Sequence, residues 1–318
     1  MPASYVHQSI AAAAAKAHAF FASEDKRLIS ALLAGAEGPD PLFFSLFAPP
    51  RKKPAPALGA ILHTQRTDEF LLALCEACAD KAVTRAFCCG FMTHYAADTT
   101  FHPFVYAHSL TGDGAYSSTL HCTLEHQLET LHFRRQGNET SLPVQMGGYA
   151  ALSREAKDQI AAAFHAAVVR VFPGDDIGYA RIRRSFDDAV ALCNLLRSEG
   201  GVKFRAMGAL LSPFGLDAPL HAHMMPVQAP DTDIANDAHA PWASLWAPDV
   251  RRSESFDDLY AAAVQRAAQL IGLTLGMMDG QVSYATLRAQ LGGLSYDSGL
   301  PWSGTCPASK APGVKKKA

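Results

Sequence analysis

Several features that would mark a specialised class of protein are missing from this chain. Charged residues make up only 18% of its 318 residues and the formal net charge is -2, so no basic excess indicates a dedicated nucleic-acid patch. No run of eighteen apolar residues is uninterrupted, which argues against a transmembrane segment. Alternating β-branched runs bounded by turn residues are also scarce, and this disfavours a β-rich fold.

An export signal is also not recognisable. The alanines at 11–15 are followed by Lys16 and His18 instead of a longer hydrophobic block. We therefore expect a cytoplasmic location, where the seven cysteines would be reduced thiols. Cys75 and Cys78 could form a metal or redox pair, but the surrounding pattern is helical and no second CxxC exists. We interpret them as core positions.

What the chain does contain is helical periodicity, which predicts an all-α fold. A stretch such as 67–79 repeats apolar residues on one face, and the alanine-rich 10–22 favours helix by intrinsic propensity. We predict a single multi-helix domain over residues 1–300 and a disordered, solvated tail over 301–318. The predicted helices are 10–22, 67–79, 83–99, 117–135, 150–172, 179–197 and 256–277.

Two proline-containing stretches predict loops between these helices. Residues 48–58 hold four prolines among three basic residues, so we expect an exposed connection there instead of a helix. Residues 213–250 hold six prolines and form a long mixed stretch. A loop of that length is usually functional or packed across the surface, and the sequence assigns it no role.

The chemistry is concentrated in the segment GFMTHYAADTTFHPF. It places His94, Asp98 and His102 at successive spacings of four, and residues four apart share a helix face. His94 and Asp98 can therefore bind one ion. Because Pro103 disfavours helical geometry at the residue before it, we expect His102 at the helix end, turned towards a neighbouring ion.

A second pair follows in HCTLE, where His121 and Glu125 are four apart. An imidazole and a carboxylate on one face make half of a zinc site, and His102 is the natural third ligand. Any one of these residues, taken alone, is more often an ordinary packed or solvated side chain. Two such pairs on consecutive helices, with a histidine between them, favour metal binding.

Together these motifs resemble the zinc-dependent phospholipase C family, related more distantly to the S1/P1 nucleases. The resemblance extends over about residues 7–278 and implies an all-α fold of the phospholipase C/P1 nuclease type. It also leads us to expect that His63 opens a helix. Further matching residues are His7, Asp40, His63, Asn236, His239 and Trp242.

The resemblance implies a cluster of zinc sites, two of them expected and a third less well supplied with ligands. Carboxylate and imidazole donors suit zinc without any cysteine, and a carboxylate can bridge two ions through its two oxygens. The first ion would be held by Asp40, His63, His94 and Asp98, the second by His102, His121 and Glu125, and the third by His7 and Asp98.

The sequence departs from the family pattern in two places. Exported members begin with a tryptophan that binds the third ion, whereas this chain begins with Met1. His18 could compete with His7, although we expect it at the surface. Exported phospholipases also carry an aromatic residue directly after the Asp, for choline recognition. Here Pro41 follows, and we expect the phenylalanines beyond it, Phe43, Phe44 and Phe47, to be core residues.

The implied reaction is hydrolysis of a phosphodiester or phosphomonoester by water that zinc activates. Asp40 is implied as both a ligand and the base. His126 and His132 could be outer ligand partners or acids, but we expect them at the surface.

The substrate would be a phosphate ester, with a lipid headgroup as one option. The alternatives are a zinc nuclease, a phosphomonoesterase and a non-catalytic relative; Glu125, where nucleases tend to have Asp, weakly favours the phospholipase side.

Overall fold

The computed structural model describes residues 4–23, 25–45, 54–138, 142–215, 218 and 221–301. Within these residues the chain forms twelve α-helices and one two-stranded antiparallel hairpin, so the predicted all-α fold is confirmed. None of the described helices is long and apolar enough to cross a bilayer. The domain boundary at residue 300 stays a prediction, and the tail over 302–318 lies outside the described residues.

Within the described residues, the twelve helices and two strands are connected by segments of very different lengths. In chain order they are α1 Ser4–Ala15, α2 Lys26–Gly35, α3 Ala55–Thr64, α4 Thr67–Cys78, α5 Ala82–Ala107, α6 Ser118–Arg135, α7 Gly147–Ala151, α8 Arg154–Val171, α9 Tyr179–Leu196, α10 Val202–Leu211, β1 Trp242–Ser244, β2 Ala247–Arg252, α11 Phe256–Met278 and α12 Tyr284–Leu291.

Helix α5 is the centre of the fold. It packs against α2 on one side and α11 on another, with α1, α4 and α8 completing the surroundings. Most of its residues are apolar or small around the whole circumference, and a helix of that kind is stable only when it is buried on all sides. The polar residues of α5 are therefore carried into the interior with it.

Side-chain caps set where several of these helices begin. Ser117 accepts a hydrogen bond from Leu120 N at the start of α6, and Ser153 does the same for Ala156 N at α8. Ser255 and Asp258 form a reciprocal capping box at α11. A cap of this type stabilises a helix by about 1 kcal/mol, so the register of α6, which carries two predicted ligands, is well determined.

Several predicted helix boundaries are wrong. Helix α1 runs over Ser4–Ala15 instead of 10–22, and α5 continues through Pro103 to Ala107. His63 lies in the last turn of α3 and does not open a helix. Pro103 is tolerated because the tight packing around α5 outweighs the one backbone hydrogen bond that a proline removes, the bond to the carbonyl of Thr99.

The two predicted loops are also only partly right. Helix α3 begins at Ala55, directly after Pro54, so residues 55–58 are helical; a proline in the first turn is compatible with a helix start. Residues 46–53 lie outside the described part of the chain. The long stretch 213–250 contains β1 and the start of β2, a hairpin that the sequence pattern did not reveal.

The structure places Cys75 and Cys78 in the core, as interpreted from the sequence. Both are fully buried in α4, and Cys75 Sγ lies 3.4 Å from Cys88 Sγ of α5 as a pair of free thiols. Burial raises the pKa values of the Cys75 and Cys88 thiols well above the ordinary value for cysteine. These sulfurs are packing groups, not ligands.

Candidate metal centre

All eight predicted ligands lie in one buried region, although they come from five separate segments. Helix α1, the turn after α2 and helix α3 contribute one residue each, while α5 contributes three and α6 two. Each side chain is buried, which is unusual for carboxylates unless they are paired or bound to metal. The residues are His7, Asp40, His63, His94, Asp98, His102, His121 and Glu125.

Asp98 occupies the middle of this region. Its Oδ1 lies 3.2 Å from His7 Nε2 and 3.8 Å from His102 Nε2. Its Oδ2 lies 3.0 Å from His94 Nε2 and 3.7 Å from His63 Nε2. One carboxylate therefore faces four imidazoles, with two on each oxygen, an arrangement suited to a group that bridges ions.

A first group of donors surrounds Asp40. His63 Nε2 lies 3.2 Å from Asp40 Oδ1, and His94 Nε2 lies 4.0 Å from Oδ2. These three residues offer donor atoms within 4.8 Å of one another. They match three of the four residues predicted for the first ion, and Asp98 adjoins the group through His94.

A second group lies between the C-terminal half of α5 and the start of α6. Glu125 Oε1 lies 3.2 Å from His121 Nε2 and 3.3 Å from His102 Nε2. The three residues again offer donors within 4.8 Å of one another. The group has the composition predicted for the second ion. His102 reaches it from the interior of α5, not from a helix end.

The third predicted site shares its donors with the first. His7 and Asp98 form a group within 4.8 Å, but its third member is His94, which also belongs to the group around Asp40. The rings of His7 and His94 are stacked, with centroids 4.5 Å apart. His18, the competitor considered for His7, is half-buried and hydrogen-bonded to the carbonyl of Ala268.

Backbone carbonyls orient three of the imidazoles. The Nδ1 of His63 lies 2.7 Å from the Gly59 carbonyl, and the Nδ1 of His94 lies 3.0 Å from the Ala36 carbonyl. These hydrogen bonds place the proton on Nδ1 and leave Nε2 as the donor that faces the carboxylates. His102 is oriented in the same way, because its Nδ1 lies 3.2 Å from the carbonyl of Tyr296.

The turn after α2 is shaped to admit the His94 ring. Gly38 has a positive φ of 53°, and a Cβ built there would lie 2.2 Å from His94 Cδ2. A side chain at this position would displace the imidazole. Two residues further on, the same turn delivers Asp40, so the glycine and the carboxylate form one unit.

Electrostatics favour a charged Asp98 and a cationic His102 in this region. Burial opposes ionisation of Asp98, but the facing imidazoles of His102 and His94 hold its pKa well below its usual range. For His102, burial lowers the pKa, whereas Asp98 and Glu125 outweigh it and raise the pKa to about 9. The region therefore attracts positive charge, from protons or from a metal ion.

The donor set fits zinc. Neither oxygen of Asp40 accepts a hydrogen bond from the residues that the structure describes, and His63 Nε2 lies close to one of them without the alignment of a hydrogen bond. Leaving buried carboxylate oxygens unsatisfied costs several kcal/mol. A cation between Asp40, His63 and His94 would satisfy these atoms, and imidazole with carboxylate is a ligand combination that zinc accepts.

Beside the donors lies a small cavity of about 30 Å³, which is room for about one water molecule. Its polar side is formed by His7, Asp98, His102 and Glu125, and its other walls are apolar residues such as Phe256. A low-dielectric wall strengthens the interactions of any charged group bound there.

The phenylalanines after Asp40 do not all have the expected role. Phe44 is buried in the core, as expected, and Phe47 lies outside the described residues. Phe43 is only half-buried and its ring centroid lies 5.4 Å from that of His63. It therefore forms part of the edge of the donor cluster.

The expectation that His126 and His132 lie at the surface is wrong, because both are buried in α6. His126 pairs with Glu129, and His132 packs against Tyr260. Neither belongs to any of the three donor groups. The closing segment also lies elsewhere: Asn236 bonds to backbone carbonyls around Ala240 and Glu254 and thereby holds the hairpin.

Sequence reasoning missed three aromatic or acidic residues beside the cluster. The ring of Tyr106 packs edge-on against His121 at 4.7 Å. Tyr296 and Asp297, after α12, lie against His63 and His102. Tyr106 could have been found, because it is four residues after His102 on the same helix. The other two are distant in sequence and belong to no motif.

A comparison with known families agrees with this geometry. The family model for zinc-dependent phospholipase C matches residues 6–174, more than half of the chain and the whole span of the eight donors. Neither the search of the curated proteins nor that of the solved structures gave a match. The extent of the family match and the donor groups that the fold assembles lead to one conclusion: the chain belongs to the zinc-dependent phospholipase C family.

Proposed function

We propose that this protein is a zinc-dependent phosphoesterase that hydrolyses a phosphodiester, with a phospholipid headgroup as the preferred class of substrate. The observation that carries the proposal is the position of Asp98. One buried carboxylate lies between four imidazoles that belong to separate donor groups. Neighbouring sites that share a carboxylate suit the clamping of a phosphate.

The proposed ligands are those implied by the sequence. Asp40, His63, His94 and Asp98 would hold one ion, and His102, His121 and Glu125 a second. Because the third group needs His94 as well, we propose two zinc ions as the working complement. Zinc bound there would neutralise phosphate charge and lower the pKa of a water molecule from about 15.7 towards 7.

We assign Asp40 the role of base. Its carboxylate is buried, and both oxygens are without a hydrogen bond from the described residues. With one oxygen on the ion, the other could accept a proton from water without first giving up a protein partner. Asp98, in contrast, is surrounded by imidazoles on both oxygens, which suits a ligand better than a base.

The apolar walls around the small cavity favour the lipid side of the proposal. Phe101, Val105 and Phe256 lie next to His102 and Glu125, so the surroundings of the second donor group are uncharged and disfavour a second anion beside the phosphate. A nuclease would benefit from basic residues to hold its polyanionic substrate, and the residues lining this cavity include no lysine or arginine.

The test is a substrate panel with zinc-loaded protein. The panel contains a short-chain phosphatidylcholine, p-nitrophenyl phosphorylcholine, p-nitrophenyl phosphate and a single-stranded oligonucleotide. We expect the two non-nucleotide diesters to be hydrolysed faster than the monoester and the oligonucleotide, and the activity to disappear after chelation. Choline itself should not be preferred over other headgroups, because Pro41 stands where exported members carry the aromatic residue for choline. Asp40→Asn should lower the rate by at least ~100-fold, whereas Asp249→Asn, at an exposed position of β2, should leave it unchanged.

Other patterns would refute parts of this proposal. Preferred cleavage of the oligonucleotide would identify a nuclease, and preferred cleavage of p-nitrophenyl phosphate a phosphomonoesterase. If zinc-loaded protein hydrolyses none of the four compounds, the protein is a metal-binding relative without this activity. An Asp40→Asn variant with full activity would remove Asp40 from its assigned role.

A further inference from the structure

The segment 294–301, which we call the C-terminal strap, lies against the donor cluster although it is outside the residues that match the family. It follows α12 and is closed on itself by an antiparallel bridge between Leu294 and Pro301. Ser295 N donates to the Leu300 carbonyl at 2.9 Å, and Gly299 N donates to the Ser295 carbonyl at 2.9 Å. The strap is therefore a compact, internally bonded loop.

One residue of the strap connects ligands from two donor groups. Tyr296 N donates to the carbonyl of His63 at 2.8 Å, and His102 Nδ1 lies 3.2 Å from the carbonyl of Tyr296. His63 belongs to the group around Asp40 and His102 to the group around Glu125. The backbone of Tyr296 thus fixes the helix end that carries one ligand and the ring of the other.

The side chain of Tyr296 fills the space behind the same ligands. Its exposed fraction is 0%, and its ring centroid lies 5.2 Å from that of His63 and 5.8 Å from that of His94. A third ring, that of Tyr95 on α5, lies 5.0 Å away. These contacts prevent the two imidazoles from rotating away from the carboxylates they face.

Asp297 adds a charged partner for His102. Its Oδ1 lies 4.0 Å from His102 Nδ1, and its side chain is about one-fifth exposed. The Tyr296 carbonyl and the Asp297 carboxylate together favour the proton on Nδ1 of His102. Its Nε2 then faces Glu125 Oε1 at 3.3 Å. An imidazole that ligates a metal typically gives its other N–H to a group of this kind.

We propose that Tyr296 and Asp297 are positioning residues of the metal centre, and that the C-terminal strap holds His63 and His102 in the orientation that zinc binding requires. The proposal rests on the proposed zinc centre. It assigns a part in metal binding to a segment that the family match does not include. Loss of such an outer partner typically weakens metal binding by about 10–100-fold.

The strap can be displaced from α5 without removing any of its polar groups, because it packs closely against that helix. Gly299 has a positive φ of 64°, and a Cβ there would lie 2.4 Å from the carbonyl oxygen of Thr99 in α5. That carbonyl is the one whose helical partner Pro103 removes, and Pro103 Cγ lies 3.4 Å from the same Cβ position. Gly299→Ala should therefore lift the strap from α5.

A matched control is available after α11. Gly280 also has a positive φ, of 72°, but a Cβ there would meet nothing within 4 Å. Gly280→Ala therefore carries the same backbone strain without the collision. For Asp297→Asn the control is Asp249→Asn, because Asp249 is an exposed residue of β2.

The experiment measures metal affinity in the full chain. Zinc and, separately, Co²⁺ are titrated into the metal-free protein against a competing chelator, and the visible spectrum of the Co²⁺ form is recorded. We expect Asp297→Asn and Gly299→Ala to lower the affinity for the more weakly bound of the two ions by about 10-fold or more. Both variants should also change the Co²⁺ spectrum. Asp297→Glu should recover part of the affinity, and both controls should match the parent.

A purely structural role for the strap predicts a different result, namely a lower melting temperature of the metal-free variants with metal affinity unchanged. That outcome would overturn the proposal, and so would an equal loss of affinity in Gly280→Ala and Gly299→Ala. The readout does not depend on which ester is cleaved. If zinc binds but the substrate panel shows no hydrolysis, the proposed function fails while the strap is still tested.

Discussion

Helix α6 carries two buried His–carboxylate pairs that differ in their surroundings. His121 and Glu125 at its start are 3.2 Å apart, and so are His126 and Glu129 one turn later. The exposed fractions of His121 and His126 are 5% and 3%, so burial does not distinguish them. The first pair belongs to a group of metal donors, whereas the second belongs to none among the described residues.

The difference lies in what approaches each pair. His102 of α5 brings a third donor to Glu125 at 3.3 Å. Glu129 instead accepts hydrogen bonds from Tyr5 N and from Gln145 Nε2, so its oxygens already have neutral protein partners. Pairing on one helix supplies at most half of a tetrahedral site, and the remainder has to come from another element. A metal site is thus decided by convergence between helices.

The largest expected effect comes from removing the shared carboxylate. We expect Asp98→Asn to lose more bound zinc per chain than Glu125→Gln, because Asp98 faces four imidazoles and Glu125 faces two. Hydrolysis should fall by roughly 1000-fold or more in both variants, since a bound ion supplies several kcal/mol of transition-state stabilisation. Elemental analysis of the purified proteins beside the parent measures the zinc content.

Asp249→Asn is the control for the loss of one negative charge. Equal zinc content in the parent, Asp98→Asn and Glu125→Gln would mean that the donor groups do not hold metal. A larger loss in Glu125→Gln than in Asp98→Asn would show that the second group, not Asp98, is the centre of the cluster.

The second prediction tests the comparison within α6 directly. Glu125→Gln and Glu129→Gln are the same chemical change at two buried positions four residues apart. We expect the first to lose zinc and the second to keep the parent content, although Glu129→Gln should lower stability by about 1–3 kcal/mol, since its hydrogen-bond partners lose a charged acceptor. Zinc content and a chemical-denaturation midpoint are measured on the same samples.

If Glu129→Gln also empties the site while remaining folded, the two pairs are not different in kind. Convergence with α5 would then not be the deciding feature.

The part of the site that the sequence revealed is the part governed by helical periodicity. Spacing of four placed His94 with Asp98 and His121 with Glu125, and the structure brings both pairs together. The fold class followed from the same periodicity. These are local relations along one helix, and a pattern of residue types records them.

What the sequence did not reveal depends on contacts between distant segments. The helix through Pro103 exists because packing around α5 compensates for a lost hydrogen bond, and no residue near Pro103 signals that packing. Tyr296 contacts His63 and His102 through its backbone, and any residue type offers the same backbone groups. Burial of His126 and His132 was missed because distant segments cover them: Gln145 lies beside His126, and Tyr260 of α11 packs against His132.

The third prediction concerns the thermal stability of the protein instead of its zinc content. Because the donors come from five segments, zinc should bind only the folded chain and stabilise it by about 2.7 kcal/mol at a hundredfold excess over its dissociation constant. We expect a strong chelator to lower the melting temperature of the parent by several degrees. Asp98→Asn should lose much less on chelation, because it starts with less metal. An unchanged parent midpoint after verified zinc removal would contradict the site.

The smallest effect is expected at the far end of α6, where His132 is buried without a carboxylate in contact. Burial lowers its pKa to about 4 from an ordinary value of 6.5; Asp257 acts in the opposite direction and Arg135 in the same one. The rings of Tyr5 and Tyr260 pack against it, and Ser9 and Gln136 lie within hydrogen-bond distance of its Nε2.

Since the unfolded chain takes up the proton first, stability is lost as the pH falls from about 6.5 to about 4. Compared with His132→Phe, metal-free parent should lose about 2 kcal/mol over that range, a value reduced for partial solvation. Urea midpoints of both proteins between pH 4 and pH 7 measure the difference. Parallel curves would show that His132 titrates alike in both states, and that burial on α6 without a facing carboxylate does not keep this imidazole neutral.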